Sequence, residues 1–108
     1  MEQEKEFVVP TKAEDFGEKT EIRNTDEKGR TKIYLLLSDK SIAEIREGKG
    51  TDAEKAAMES NGDQSKYMTS MMAATLKING KPVNMYNVSD LSLKDYMTVQ
   101  VAFTDINF

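Results

Sequence analysis

Two kinds of apolar spacing organise this chain. In its first third the runs are rich in β-formers. Glu21-Ile22-Arg23 and Thr31-Lys32-Ile33-Tyr34-Leu35-Leu36-Leu37 flank the polar stretch Asp26-Glu27-Lys28-Gly29-Arg30. Turn residues and a Gly between such runs predict a β-hairpin. Ahead of it, Phe7-Val8-Val9 reads as a short extended piece stopped by Pro10. Thr11 to Lys19 has little but Phe16 to bury and is expected to wander.

After Leu37 the spacing reads as helical. Ser38 or Ser41 can cap a helix through Ile42, Ile45 and Arg46, ended by Gly48 and Gly50. Thr51-Asp52-Ala53-Glu54 has the form of a capping box and opens a short helix toward Met58, broken at Asn61-Gly62. Another helix starts near Asp63 or Ser65. In it Met68, Met71, Met72, Thr75 and Leu76 fall at i, i+3, i+4, i+7 and i+8, which is one helical face. It runs into Ile78-Asn79-Gly80-Lys81-Pro82, where Asn-Gly predicts a turn and Pro82 excludes a central strand position.

The last segment has two periods. Leu93, Tyr96, Met97 and Val101 share a helical face, whereas Met97, Val99, Val101 and Phe103 alternate as a strand would. The capping-box-like Ser92-Leu93-Lys94-Asp95 and the break at Asp105-Ile106-Asn107 favour helix. Together these elements predict an α+β fold: a small single domain with an N-terminal β-hairpin followed by three to four short helices. Residues 1–19 read as a flexible acidic segment and residues 20–108 as the folded domain.

Charge sharpens that division. Residues 1–30 carry fifteen charges, nine of them acidic, while residues 61–108 carry only eight. The 108-residue chain has a net charge of -4, a balance that disfavours non-specific nucleic-acid binding, which needs Lys and Arg to displace counterions. Cys and His are both absent. That removes disulfides, thiolate metal sites, cysteine nucleophiles and the Ser-His-Asp triad. The longest apolar run, Ile33 to Leu37, is far short of the roughly 18 residues of a membrane span. The acidic start Met1-Glu2-Gln3-Glu4-Lys5-Glu6 lacks a signal peptide's apolar segment, so an intracellular protein is expected.

Motifs that could carry chemistry fail on their details. Gly48-Lys49-Gly50-Thr51 lacks the Gly four residues ahead of the Gly-Lys pair that a phosphate loop needs, since position 43 is Ala. Asn24, Asp26 and Gly29 echo a calcium loop, but Lys28 and Leu35 stand where oxygen ligands belong. Asn87-Val88-Ser89 is a formal glycosylation sequon without a secretory signal. The carboxylates lie in charge-rich stretches where ordinary pKa values are expected. No catalytic, metal or cofactor-binding residue is therefore assigned, and a non-enzyme is expected.

Methionine is different, with seven in the chain. Its flexible thioether fills irregular cores and also suits surfaces that accept varied apolar partners. The candidate partner-binding residues are Met68, Met71, Met72, Leu76, Tyr96 and Met97.

From Lys66 onward the chain shows an ordered set of signals. An apolar helix leads into Ala73-Ala74-Thr75-Leu76-Lys77-Ile78 and Asn79-Gly80-Lys81-Pro82-Val83, followed by Val88-Ser89-Asp90-Leu91-Ser92-Leu93-Lys94-Asp95-Tyr96 and an apolar tail to Phe103. This order resembles the tail assembly chaperones of long-tailed bacteriophages. In that family an apolar helix meets an Ile-x-Gly-Lys-Pro turn, and an Asp-Leu start leads into a final apolar helix. The resemblance implies a non-enzymatic role in the host cytoplasm: binding the long helical tape measure protein, with the tail tube protein as a second partner. Neither a membrane nor a nucleic acid is implied, and self-association stays open. Two other classes fit the composition: a structural virion protein (baseplate, connector or head decoration) and a small acidic inhibitor of a host nucleic-acid-binding protein.

Overall fold

The protein is described from a computed structural model covering residues 7–108. Five strands form one antiparallel sheet in chain order: β1 (Glu21–Thr25), β2 (Thr31–Leu36), β3 (Ile42–Arg46), β4 (Leu76–Ile78) and β5 (Lys81–Pro82). Helices α1 (Gly50–Ser60) and α2 (Gln64–Thr75) are inserted between β3 and β4, and α3 (Met85–Ser89) and α4 (Leu93–Asn107) follow β5. The fold is therefore α+β, with the expected hairpin; α1, α2 and α4 fall in segments expected to be helical, whereas α3 was not foreseen.

The expected hairpin is β1–β2, with Ile22 opposite Tyr34 and Arg23 opposite Ile33. Asp26 builds its turn by accepting the Lys28 and Arg30 amides, both at 2.9 Å. Asn79 and Gly80 turn β4 into β5 with φ of 53° and 81°, the positive pair a type I′ hairpin demands. Pro82 lies in β5 at the sheet edge, where no further ladder bond is needed.

The stretch expected as a helix through Ile42, Ile45 and Arg46 is strand β3. Lys40, at φ 74°, and the Asp39 carboxylate accepting the Ser41 amide turn the chain sharply after Leu37. Ala43 and Ile45 then pair with Leu35 and Ile33 on one side and with Ile78 and Leu76 on the other. A central strand covered on both faces is apolar at consecutive positions, and Ile42, Ala43 and Ile45 mimic a helical stripe. Its partner β4 lies about thirty residues away, where local periodicity cannot reach.

Helix α1 starts at Gly50, ahead of the expected Thr51, and its cap is made by Asp52, which accepts the Lys49 amide at 2.8 Å. Asp63 caps α2 as expected, accepting from the Ser65 amide and hydroxyl. Ser92 likewise starts α4, but the helix continues through the expected break to Asn107. That settles the two-period segment as helix.

One face of the sheet presents Ile33, Leu35, Leu37, Ala43, Ile45 and Leu76 to Met72, Val99 and Phe103 of the helical layer. The other face holds Tyr34 and Ile42, covered by Phe16. Phe16 closes a 3-10 turn, Ala13–Phe16. The segment expected to wander therefore folds onto the sheet at this point, because Phe16 caps apolar side chains that would otherwise face water. The start of the acidic segment, residues 1–6, lies outside the described residues.

Arg46 joins the two layers. Its guanidinium makes a paired contact with Asp52 at 2.9 and 3.0 Å and donates to the Ala74 carbonyl at 2.9 Å. One side chain thus fastens the end of β3 to the start of α1 and the end of α2. Asp52 is held below its ordinary pKa, first by Arg46 and further by the Lys49 amide, against the opposing effect of burial.

Replacing Met72 by Ala is expected to cost about 2–5 kcal/mol in urea unfolding. Met72→Asp should abolish the cooperative transition, because its charge would be sealed without a partner; a folded Met72→Asp protein would remove that side chain from the core. A carboxylate with a depressed folded pKa stabilises the fold above its unfolded pKa, and the contribution fades as pH falls through the folded value. The Asp52 contribution should thus be complete above about pH 5 and decline below it. Asp52→Asn should flatten the acid-side fall in stability between about pH 5 and 3, and an unaltered pH slope would mean the Arg46 contact is not linked to folding.

Candidate polypeptide-binding face

Helix α4 has two apolar faces. The inner one buries Val99, Ala102 and Phe103, with Tyr96 and Ile106 half-buried beside them. The outer one carries Leu93, Met97, Val101 and Phe108, exposed by 76%, 47%, 64% and 79%. These four recur at i, i+4, i+8 and i+15, so they follow one side of the helix and its end for about 22 Å.

Polar side chains fix which face turns in. The Asp95 carboxylate, itself buried, accepts the Ser38 amide at 3.1 Å and the Ser38 hydroxyl at 2.7 Å. The Tyr96 hydroxyl meets Thr69 of α2 at 2.7 Å. Arg23 of β1 pairs with Asp105 at 2.6 Å. At the far end, the Asn107 side-chain oxygen accepts the Gly48 amide at 2.7 Å. Phe108 then folds edge-on against Phe103, with ring centroids 6.0 Å apart. The helix is anchored to the β2–β3 turn, α2, β1 and the β3–α1 loop, so its outer stripe is held rigidly.

The six residues expected to bind a partner separate under this geometry. Met72 and Leu76 are sealed in the core, and Leu76 belongs to β4 rather than to α2. Spacing identified a true apolar face of α2, but that face packs on the sheet. Met68 and Met71 are half-buried. Met68 lines an open groove of about 460 Å³ with Ala57 and Tyr67. Met71 lines a shallow one of about 180 Å³ with Ala53, Phe103 and Phe108. The second groove adjoins the α4 stripe, because Phe108 belongs to both. Tyr96 turns inward and spends its hydroxyl on Thr69, so it does not join the outer stripe. Met97 lies at the stripe's middle. The residues missed are Leu93, Val101 and Phe108; the shared face of Leu93, Met97 and Val101 was the available signal.

The phosphate-loop echo is closed by the same contacts. A strand does precede Gly48-Lys49-Gly50, where a helix was expected. Yet the Gly48 amide is given to Asn107 and the Lys49 amide to Asp52, so neither is free to cradle an anion. Among the described residues no cluster of three or more Asp or Glu is placed to hold a metal ion. No helix among them is long and apolar enough to cross a membrane.

Asp95→Ala is expected to destabilise the fold by about 1.5–3 kcal/mol, since it removes two hydrogen bonds to a charged acceptor. Asp95→Asn keeps one acceptor oxygen and should lose less. Urea unfolding of the pair tests this ranking, and an alanine variant as stable as the parent would show that α4 is not anchored through Ser38.

Comparison with known protein families, with curated proteins and with solved structures finds no match to this chain.

Proposed function

We propose that the protein is a non-enzymatic assembly chaperone that covers an apolar stripe on a helical polypeptide. Its client would be the tape measure protein of a bacteriophage tail, bound in the host cytoplasm, as the resemblance from Lys66 to Phe103 implies. The observation that carries this reading is the exposed Leu93–Met97–Val101–Phe108 face on an anchored helix. Contiguous apolar surface of this kind is costly in water and marks sites for another polypeptide.

The shape of the face suits a helix. A rigid helical ridge beside the shallow Met71–Phe103 groove offers seats at helical spacing, the way amphipathic helices are bound elsewhere. Met71 and Met97 can adjust to different apolar side chains, so one surface could read many similar stripes along a long client. Many weak contacts repeated along one filament give avidity without a tight single site. The net charge of -4 would help keep such a complex dissolved.

Co-expression with the tape measure protein tests this. That protein is expected to move from the pellet to the supernatant, and the chain should be absent from finished particles by mass spectrometry. Met97→Glu and Val101→Glu should abolish the rescue while circular dichroism stays unchanged, because neither side chain supports the core. Rescue that survives both substitutions would move the client elsewhere. Stoichiometric recovery of the chain from purified virions would replace the chaperone with a structural subunit.

A further inference from the structure

The flanks of the α4 stripe carry a pattern that fits a second copy of the same chain. We propose that, when no client is bound, α4 pairs antiparallel with α4 of a second copy and so closes the apolar stripe. This concerns the regulation of the client-binding face and rests on that reading.

The stripe is nearly symmetric along the helix: Leu93 and Phe108 lie at its ends, with Met97 and Val101 between them. Lys94 and Asp105 are eleven residues apart, so at about 100° per residue they fall within about 20° of each other around the helix. Both are exposed, and both border the stripe on the same flank. The two-fold axis of an antiparallel helix pair keeps each flank on its own side of the seam. With that axis near residue 100, Lys94 of one copy meets Asp105 of the other, and the contact occurs twice. In a parallel pair the axis carries the two flanks to opposite sides, and neither charge meets its counterpart.

The groups are available for this. Lys94 makes no ion pair among the described residues. Asp105 uses Oδ2 for Arg23, which leaves its second oxygen to receive a lysine. The opposite flank carries Gln100, which adds no charge to oppose the pairing, and Thr104 lies within the stripe as an uncharged position. A seam built from one fifteen-residue helix on each side is small, and interfaces of that size are weak and exchange readily. A client could therefore displace the second copy, whereas a large permanent interface would block it.

Sedimentation equilibrium on the full chain, without client, tests the pairing. The parent chain is expected to show a monomer–dimer equilibrium. Lys94→Glu puts like charges opposite each other at both contacts, and Asp105→Lys does the same with the signs reversed. Each variant alone should weaken the dimer by about tenfold or more. Mixed in equal amounts they should restore it, because in the mixed dimer both contacts again join a carboxylate to a lysine: one is the parent pair and the other is that pair with its charges exchanged. Should loss of the Arg23 contact unfold the Asp105→Lys chain by circular dichroism, Lys94→Glu and Met97→Glu must each weaken the dimer on their own. A parent chain that stays monomeric at all concentrations, or a dimer indifferent to these changes, overturns the pairing. A monomeric chain that still solubilises the tape measure protein defeats the pairing alone, and a charge-sensitive dimer that rescues no client defeats the chaperone reading alone.

Discussion

Helix α4 carries apolar side chains around most of its circumference, and such a helix could bury either of two faces. Transfer energies do not separate them. Val99, Ala102 and Phe103 on one side and Leu93, Met97 and Val101 on the other offer comparable apolar area, each large side chain amounting to about 1.5–3 kcal/mol when fully buried. Polar groups decide the matter. On the inner side Asp95, Tyr96 and Asn107 each find a partner on another element. Turning the helix over would strand those groups and press Lys94 toward the core, where a lone charge is very costly. The orientation follows from satisfying polar groups, and the exposed stripe is its consequence.

The rest of the architecture brings those partners to α4. Ser38 and Gly48 sit at opposite ends of β3, one in the turn before it and one in the loop after it. Their separation is thus set by the length of a single strand. β3 is in turn fixed by its two neighbours and by Arg46, whose contacts with Asp52 and Ala74 hold the α1–α2 pair against it. The path from the sheet to the exposed face therefore passes through a few side chains: Arg46 positions the helical insertion, β3 spaces the anchors, and Asp95 and Asn107 seat the helix.

What could be read from the sequence divides along the same line. The β1–β2 hairpin, the Asn79-Gly80 turn and the starts of α2 and α4 were legible because each is written in adjacent residues: a turn dipeptide, a capping Asp, a capping Ser. β3 was not, because its neighbours come from distant parts of the chain and consecutive apolar positions in a central strand look helical in isolation. Phe16 was missed for a related reason: one aromatic in a charged stretch gives no period, yet it covers Tyr34 and Ile42 on the second sheet face. For the site, spacing showed that Met72 and Leu76 shared an apolar side but could not show that the sheet lay against it. Met97 was legible as apolar and helical. That it faces water depended on where Asp95 and Tyr96 found partners.

An exposed apolar residue adds nothing to a monomer's stability comparable with what it adds when buried, so such residues carry meaning mainly when they cluster. Single ones are ordinary, and Met58 on α1 and Tyr86 on α3 are of that kind. The outer side of α4 differs in two respects. Its apolar residues recur in register along the helix, broken only by Thr104, and the chain places Thr98 at another exposed position of the same helix. Polar residues are evidently compatible with water-facing positions of α4. The apolar ones are confined to one stripe, and that stripe ends where Phe108 meets the Met71 groove. Neither the burial of the inner face nor the anchoring of the helix requires the four outer residues to be apolar. The contact with another polypeptide proposed for them would be made through a surface kept rigid by the polar anchors on its far side.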